Sequence, residues 1–280
     1  MRYYVCLWLL LCPLAALSQT IHYGSNPAAG HYLQVGDAKL YYEVYGEGPP
    51  LLLLHGDFYG YIDEFEQYIP VLAKHFKVIA TAKRGHGRSE MGHSPFNEER
   101  YAQDALAILQ HEGIDSSAVL GFSSGANTAI YLAAYHPQQV RMLVAMAAGI
   151  NSKDYRPEAV KEMQDLTYPA MKTESPHFFE GREQLMPEPQ RFPELLATLK
   201  PIWLAPAFFD VEKVKAIHVP TLIMGGDHDD YYQAINFVHI YELIPCAFLA
   251  IIPHCTHVGL LERPDMLQDL VLPFLLRSPR

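Results

Sequence analysis

Four short runs in the first part of the chain are apolar along most of their length: 50–55 (PLLLLH), 77–82 (KVIATA), 118–122 (AVLGF) and 142–147 (MLVAMA). A strand with one wet face alternates apolar and polar residues. These runs do not, so they belong in a sheet covered on both faces. Stretches of helical spacing lie between them. In 62–75, Phe65, Ile69, Leu72 and Ala73 share one side. In 97–111, Asn97 stands as a cap, Glu98 and Glu99 occupy the first turn, and Gly113 follows the end. A third stretch, 126–135, closes before His136 and Pro137. An earlier run, 39–45 (KLYYEVY), reads as a strand, and 221–224, 231–243, 247–252 and 264–276 read as strand, helix, strand, helix. Pro273 should kink or shorten the last of these. The alternation predicts an α/β chain with a mostly parallel sheet and helices on both faces.

Residues 151–210 break the alternation. They carry eight prolines and only short helical patches, and they separate two strands of the same sheet. They read as a lid inserted over the carboxyl edge, between core segments 19–150 and 211–280. Its apolar residues Met171, Phe178, Phe179, Met186, Trp203, Phe208 and Phe209 are candidates to line a pocket.

At the N-terminus, Arg2 precedes an apolar run, and small residues stand before Gln19. This reads as a secretory signal peptide over residues 1–18, shorter than the roughly 20 residues that span a bilayer. The expectation is an exported protein, periplasmic or secreted, without a stable membrane anchor after cleavage. Two of the four cysteines, Cys6 and Cys12, lie in that segment. Cys246 and Cys255 flank a single strand, too far apart to bridge, and are expected as free thiols. The net charge of -10, with no basic stripe, argues against nucleic acid as a partner. CxxC and other zinc-ligand spacings are absent, so no metal and no cofactor is expected.

The run 121–125 reads GFSSG. In the pattern G-x-S-x-G, a sharp strand-to-helix turn holds the middle serine in a strained conformation. Side chains two places before and after it would clash. Gly121 and Gly125 are symmetric about Ser123, which selects Ser123 over Ser124 as a nucleophile. Ser124 contributes its main-chain N–H, at the start of the next helix, to an oxyanion. A serine hydroxyl needs a base. Of the 14 histidines, His55, His228, His254 and His257 fall after strands, where such sheets bind ligands. Three aspartates, Asp227, Asp229 and Asp230, compete for the acid; Asp230 also suits the cap of the helix beginning at Tyr231.

His55-Gly56-Asp57, Arg84-Gly85-His86-Gly87-Arg88-Ser89, Gly121 to Gly125, the turn from Pro220 to Asp229, and His257 with Glu262 and Pro264 behind it run in one order over residues 31–277. In these motifs the chain resembles the α/β-hydrolases, in particular the small-lid serine esterases and C–C hydrolases. The resemblance implies an α/β-hydrolase fold of about eight mostly parallel strands with a helical lid. It also implies a catalytic triad of Ser123, Asp229 and His257. The oxyanion hole it implies is formed by the N–H groups of Asp57 and Ser124, with His55 holding the loop. Two residues depart from the family pattern. Asp57 puts a carboxylate where an amide must face an oxyanion, and is expected to turn away or pair with a lid residue or substrate group. Lys83 stands where the family often has an acid, which should change local ion pairing and not the chemistry. Ser123 itself argues against the haloalkane dehalogenase and epoxide hydrolase relatives, which use an aspartate there.

The function expected from these residues is hydrolysis of a small carboxylic ester through an acyl-enzyme, with Phe58, Phe122 and Trp203 as candidate pocket residues. Lactone hydrolysis, C–C bond hydrolysis and cofactor-free perhydrolysis are alternatives with the same triad. A non-catalytic ligand-binding homologue is the alternative of a different class.

Overall fold

The computed structural model describes residues 21–277; the signal peptide read at 1–18 lies outside them. The strands are β1 (Gly30–Val35), β2 (Ala38–Tyr45), β3 (Pro50–Leu54), β4 (Lys77–Thr81), β5 (Ser117–Phe122), β6 (Val140–Met146), β7 (Thr221–Gly226) and β8 (Ala247–Ile252). They form one sheet in the order β1-β2-β4-β3-β5-β6-β7-β8. Both β1 and β4 pair with β2 antiparallel, and every pairing from β4 through β8 is parallel. The central strand β3 is buried on both faces, with Leu51, Leu52 and Leu53 at 0% exposure. Each such leucine contributes about 1.5–3 kcal/mol of transfer free energy. One core layer packs Leu51 and Leu53 with Phe65, Tyr68 and the C-terminal segment; the other packs Leu52 and Leu54 with the helices after β4 and β5.

Helix α1 (Glu98–His111) begins as its sequence predicts: the Asn97 side chain accepts from the Arg100 N–H at 2.8 Å. Helix α2 (Ser124–Tyr135) follows β5 directly. Between β6 and β7 lie α3 (Pro157–Asp165), α4 (Tyr168–Glu174), α5 (Pro176–Leu185) and α6 (Phe192–Trp203). Prolines that suggested broken structure instead start these helices, each standing in the first two positions, where no N–H is needed. Helix α7 (Ala234–Leu243) and β8 complete the alternation.

Three boundaries differ from expectation. The 62–75 stretch is a 3-10 turn, Ile62–Phe65, and a short helix, Ile69–Leu72, divided where Pro70 withholds its N–H. The helix expected from Tyr231 starts at Ala234, with Gln233 as its cap and Asp230 exposed outside it. The amides of Tyr231 and Tyr232 are instead taken by the Asp229 carboxylate. The last helix is split into a π turn, Leu267–Val271, and a turn Leu272–Leu275 that contains Pro273. Strand β1 carries no clear alternation and is half exposed at the sheet edge; it is held by a two-residue hairpin in which Gly36 has φ 59°. Cys246 and Cys255 are free thiols.

The turn between β5 and α2 fixes the site. Ser123 sits at φ 54°, ψ -123°, and its N–H donates to the Met146 carbonyl at 2.8 Å. A Cβ on Gly121 would lie 2.2 Å from the Gly125 carbonyl oxygen, and one on Gly125 would lie 2.0 Å from that of Leu54. Both clashes are with backbone, which cannot step aside. Gly125→Ala is therefore expected to lower the thermal midpoint sharply or prevent folding, whereas Gly113→Ala, where a Cβ would meet nothing within 4 Å, should cost only the strain of its positive φ; circular dichroism melts of the two compare them.

Candidate active site

Three loops at the carboxyl ends of β5, β7 and β8 meet at one point. His257 Nε2 lies 2.9 Å from Ser123 Oγ, and His257 Nδ1 donates to Asp229 at 2.9 Å (Oδ2) and 3.1 Å (Oδ1). Asp229 is buried. Its Oδ1 also accepts the N–H groups of Tyr231 and Tyr232, so the carboxylate is fixed from three sides. Residues 155–156, which lead into the cap helices, brace the same loop. Arg156 Nε donates to the carbonyls of Asp229 (2.8 Å) and Tyr232 (3.2 Å), and Tyr155 bridges to Tyr232. The other sequence candidates stand apart. Asp227 pairs with His228 at 2.7 Å, and His254 stacks on His228. His55 is buried, its Nδ1 2.6 Å from the Gly56 carbonyl and its Nε2 accepting the Lys83 N–H. Burial holds its pKa well below the ordinary value.

Beside Ser123 lie the main-chain N–H groups of Asp57 and Ser124; neither donates to a protein acceptor among the described residues. The loop around Asp57 is tied on every side. Gly56 N–H donates to Glu64 Oε2 at 2.7 Å, and Phe58 N–H to His86 Nε2 at 2.8 Å. Burial lowers the His86 pKa to about 4, so the ring stays neutral and able to accept. Both oxygens of the Asp57 carboxylate are engaged. Its Oδ1 accepts from Lys83 Nζ at 2.9 Å and its Oδ2 from Trp203 Nε1 at 3.0 Å. Burial alone would raise its pKa, but the Lys83 ammonium and the Trp203 indole hold it well below the usual carboxylate range. The two residues that depart from the family pattern are thus partners of each other.

These groups open on a cavity of about 140 Å³ lined by Phe122, Trp203 and four tyrosines (Tyr59, Tyr155, Tyr231 and Tyr232), together with Met163, Leu166, Val258 and Glu64. Phe122 and Trp203 line it, as their positions suggested. Phe58 does not: at φ 58° its side chain turns into the cap, where it packs on Phe179 and Phe192. Met171 and Met186 belong to that same cap core, and Phe208 and Phe209 pack under the sheet.

The family model for the alpha/beta hydrolase fold matches residues 49–180. The chain has the α/β-hydrolase fold. Among curated relatives, the 2-hydroxy-6-oxo-6-(2'-aminophenyl)hexa-2,4-dienoic acid hydrolase of Metapseudomonas resinovorans is 25% identical over 267 residues, covering 88% of this chain and 90% of the relative. Among solved structures, an N-acyl homoserine lactone degrading enzyme superposes with a TM-score of 0.71 at 25% identity, over 87% of this chain and all of the other. The carboxylesterase CesB of Bacillus subtilis superposes with a TM-score of 0.73 at 21% identity, over 88% and 91%.

Sequence reading missed Glu64, which faces the cavity from the 3-10 turn after the Asp57 loop. A Cβ on Gly56 would lie 3.3 Å from Glu64 Oε1 and 3.4 Å from Ser123 Cβ, so the carboxyl and Ser123 are neighbours across that glycine. Nothing local marks this residue; only the loop's return over the sheet edge brings it there. Burial raises its pKa to about 8, against the Gly56 N–H, which lowers it. Between the ordinary value of 4.5 and about 8, the folded protein therefore holds a proton that the unfolded chain has lost. Folded stability contributed by this group declines as pH rises through that window. Glu64→Gln should narrow the difference in urea midpoint between pH 5 and pH 8; an unchanged difference would contradict the assignment.

Proposed function

We propose that this α/β-hydrolase is a serine hydrolase that cleaves a small, uncharged carboxylic ester through an acyl-enzyme. The observation that carries the reading is the continuous hydrogen-bonded chain from Ser123 Oγ through His257 to Asp229, opening on an aromatic cavity beside two main-chain amides. In the proposed cycle Ser123 Oγ attacks the ester carbonyl and His257 Nε2 takes its proton. Asp229, holding Nδ1–H, stabilises the imidazolium in place. The N–H groups of Asp57 and Ser124 receive the oxyanion. As the C–O bond breaks, His257 returns the proton to the departing alcohol. Water then attacks the acyl-serine with His257 again as base, releasing the acid and restoring Ser123. The residues call for no cofactor, and the expected partner is a small-molecule ester.

Charge separates the readings that share this triad. Among the described residues no lysine or arginine lines the cavity, and the nearby ammonium of Lys83 is engaged by Asp57. Of the two lining carboxyls outside the triad, Asp57 is paired with Lys83 and Glu64 is held protonated through neutral pH, so neither supplies a countercharge for an anion. A substrate bearing its own carboxylate, as the dienoic acid of the Metapseudomonas resinovorans relative does, would be desolvated here without a countercharge, which is costly. This favours a neutral ester, with a neutral lactone as the second reading.

Ser123→Ala is expected to abolish both fluorophosphonate labelling and p-nitrophenyl acetate hydrolysis. Among substrates, a neutral p-nitrophenyl ester should exceed the matching hemisuccinate in kcat/KM by about tenfold or more, corresponding to about 1.4 kcal/mol or more. Equal or better turnover of the anionic ester would overturn the charge argument. Preference for a vinylogous diketone acid would restore the C–C reading.

A further inference from the structure

We propose that Lys83 is a positioning residue for the oxyanion site, its ammonium joining the two residues whose amides form that site and, through Asp57, joining them to the cap. The role rests on the acyl-transfer reading above. Lys83 follows β4, Asp57 follows β3 and Ser124 is the second residue after β5, so the three stand at the carboxyl ends of three adjacent strands. Lys83 Nζ donates to Asp57 Oδ1 at 2.9 Å and to Ser124 Oγ at 2.5 Å, and lies 4.6 Å from the centre of the Tyr101 ring. A carboxylate, a hydroxyl and a ring face thus surround the ammonium. The side chains of Lys83 and Asp57 are 3% and 4% exposed. The Lys83 main-chain N–H is held in turn by His55 Nε2 at 3.0 Å. On the far side, Asp57 Oδ2 accepts from the indole of Trp203, the last residue of α6.

An ion pair that served only to neutralise Asp57 would need no bond to Ser124. The bridge does something more: it fixes the separation between Asp57 and Ser124, hence between two N–H groups that must meet one developing charge. Such donors act only when held in place before the reaction. The pair also cancels the carboxylate's charge, so Asp57 can occupy this position without opposing the oxyanion. Trp203 lines the cavity and holds the same carboxylate, which makes the site's geometry sensitive to where the cap sits.

The test uses a fluorophosphonate, which needs no knowledge of the substrate. Ser123 Oγ bonds to phosphorus, fluoride leaves, the serine proton passes to His257, and the charge on the phosphoryl oxygen falls on the same amides. Labelling rate and thermal midpoint are measured for the wild type, Lys83→Met, Lys83→Met/Asp57→Asn and Ser124→Ala. Lys83→Met should lower both, since it strands a buried carboxylate. The double variant leaves no charge unpaired, so its midpoint should recover while its labelling rate stays down by roughly 10²-fold, the scale of a lost oxyanion donor. Ser124→Ala keeps the ion pair and cuts only the bridge; it should fold normally and label about tenfold more slowly, a partial loss on that scale. Recovery of the labelling rate together with the midpoint in the double variant, or wild-type labelling of Ser124→Ala, would reduce Lys83 to a charge partner and overturn the proposal. A wild type that does not label would remove the serine-nucleophile reading and the role of Lys83 with it.

Discussion

Gly125 brings the backbone of α2 against the backbone of β3, with no room for a methyl group between its Cα and the Leu54 carbonyl. That contact sets the height at which the helix leaves the sheet. It forces the chain at Ser123 into φ 54°, where the hydroxyl is lifted out of the β5–α2 turn toward His257. It also points the first N–H groups of α2 at the same space that the loop after β3 reaches with Asp57. Strain of this kind costs of order 1–3 kcal/mol and persists only where surrounding structure imposes it. Here β3 and β5 impose it, both buried throughout their shared register.

Around that fixed turn the protein places charge with little waste. Asp229 is buried, yet it accepts two amides and the imidazole. Asp57 is buried, yet it accepts an ammonium and an indole. Breaking either set would leave a desolvated carboxylate, which is far more damaging than never having had the pair. The cap contributes to both: Arg156 steadies the loop carrying Asp229, and Trp203 holds Asp57. Residues between β6 and β7 therefore do more than roof the cavity; they hold the backbone of the Asp229 loop and the carboxylate of Asp57 at its floor.

Much of this was legible in the sequence because the signals are local. Apolar runs on both faces dictate buried parallel strands, and glycines flanking a serine dictate a tight turn, whatever the rest of the chain does. Asn97 capped its helix through a contact three residues away. Readings failed where distant contacts decided. Phe58 neighbours Asp57 in sequence, but its positive φ sends the ring into the cap core. Asp230 has the chemistry of a helix cap, but Asp229, held by His257, had already taken the amides that would have started that helix.

The amino-acid order thus determined the α/β alternation, the serine at the turn and the short list of acids and bases that stand after strands, since each depends on periodicity or on neighbours a few residues apart. Tertiary structure alone decided that Lys83 and Asp57, 26 positions apart, are one ion pair, that Glu64 stands beside Ser123, and that no free cation faces the cavity among the described residues. Those are properties of distance between elements. They exist only once β4, β3 and β5 lie side by side and the cap has closed over their ends.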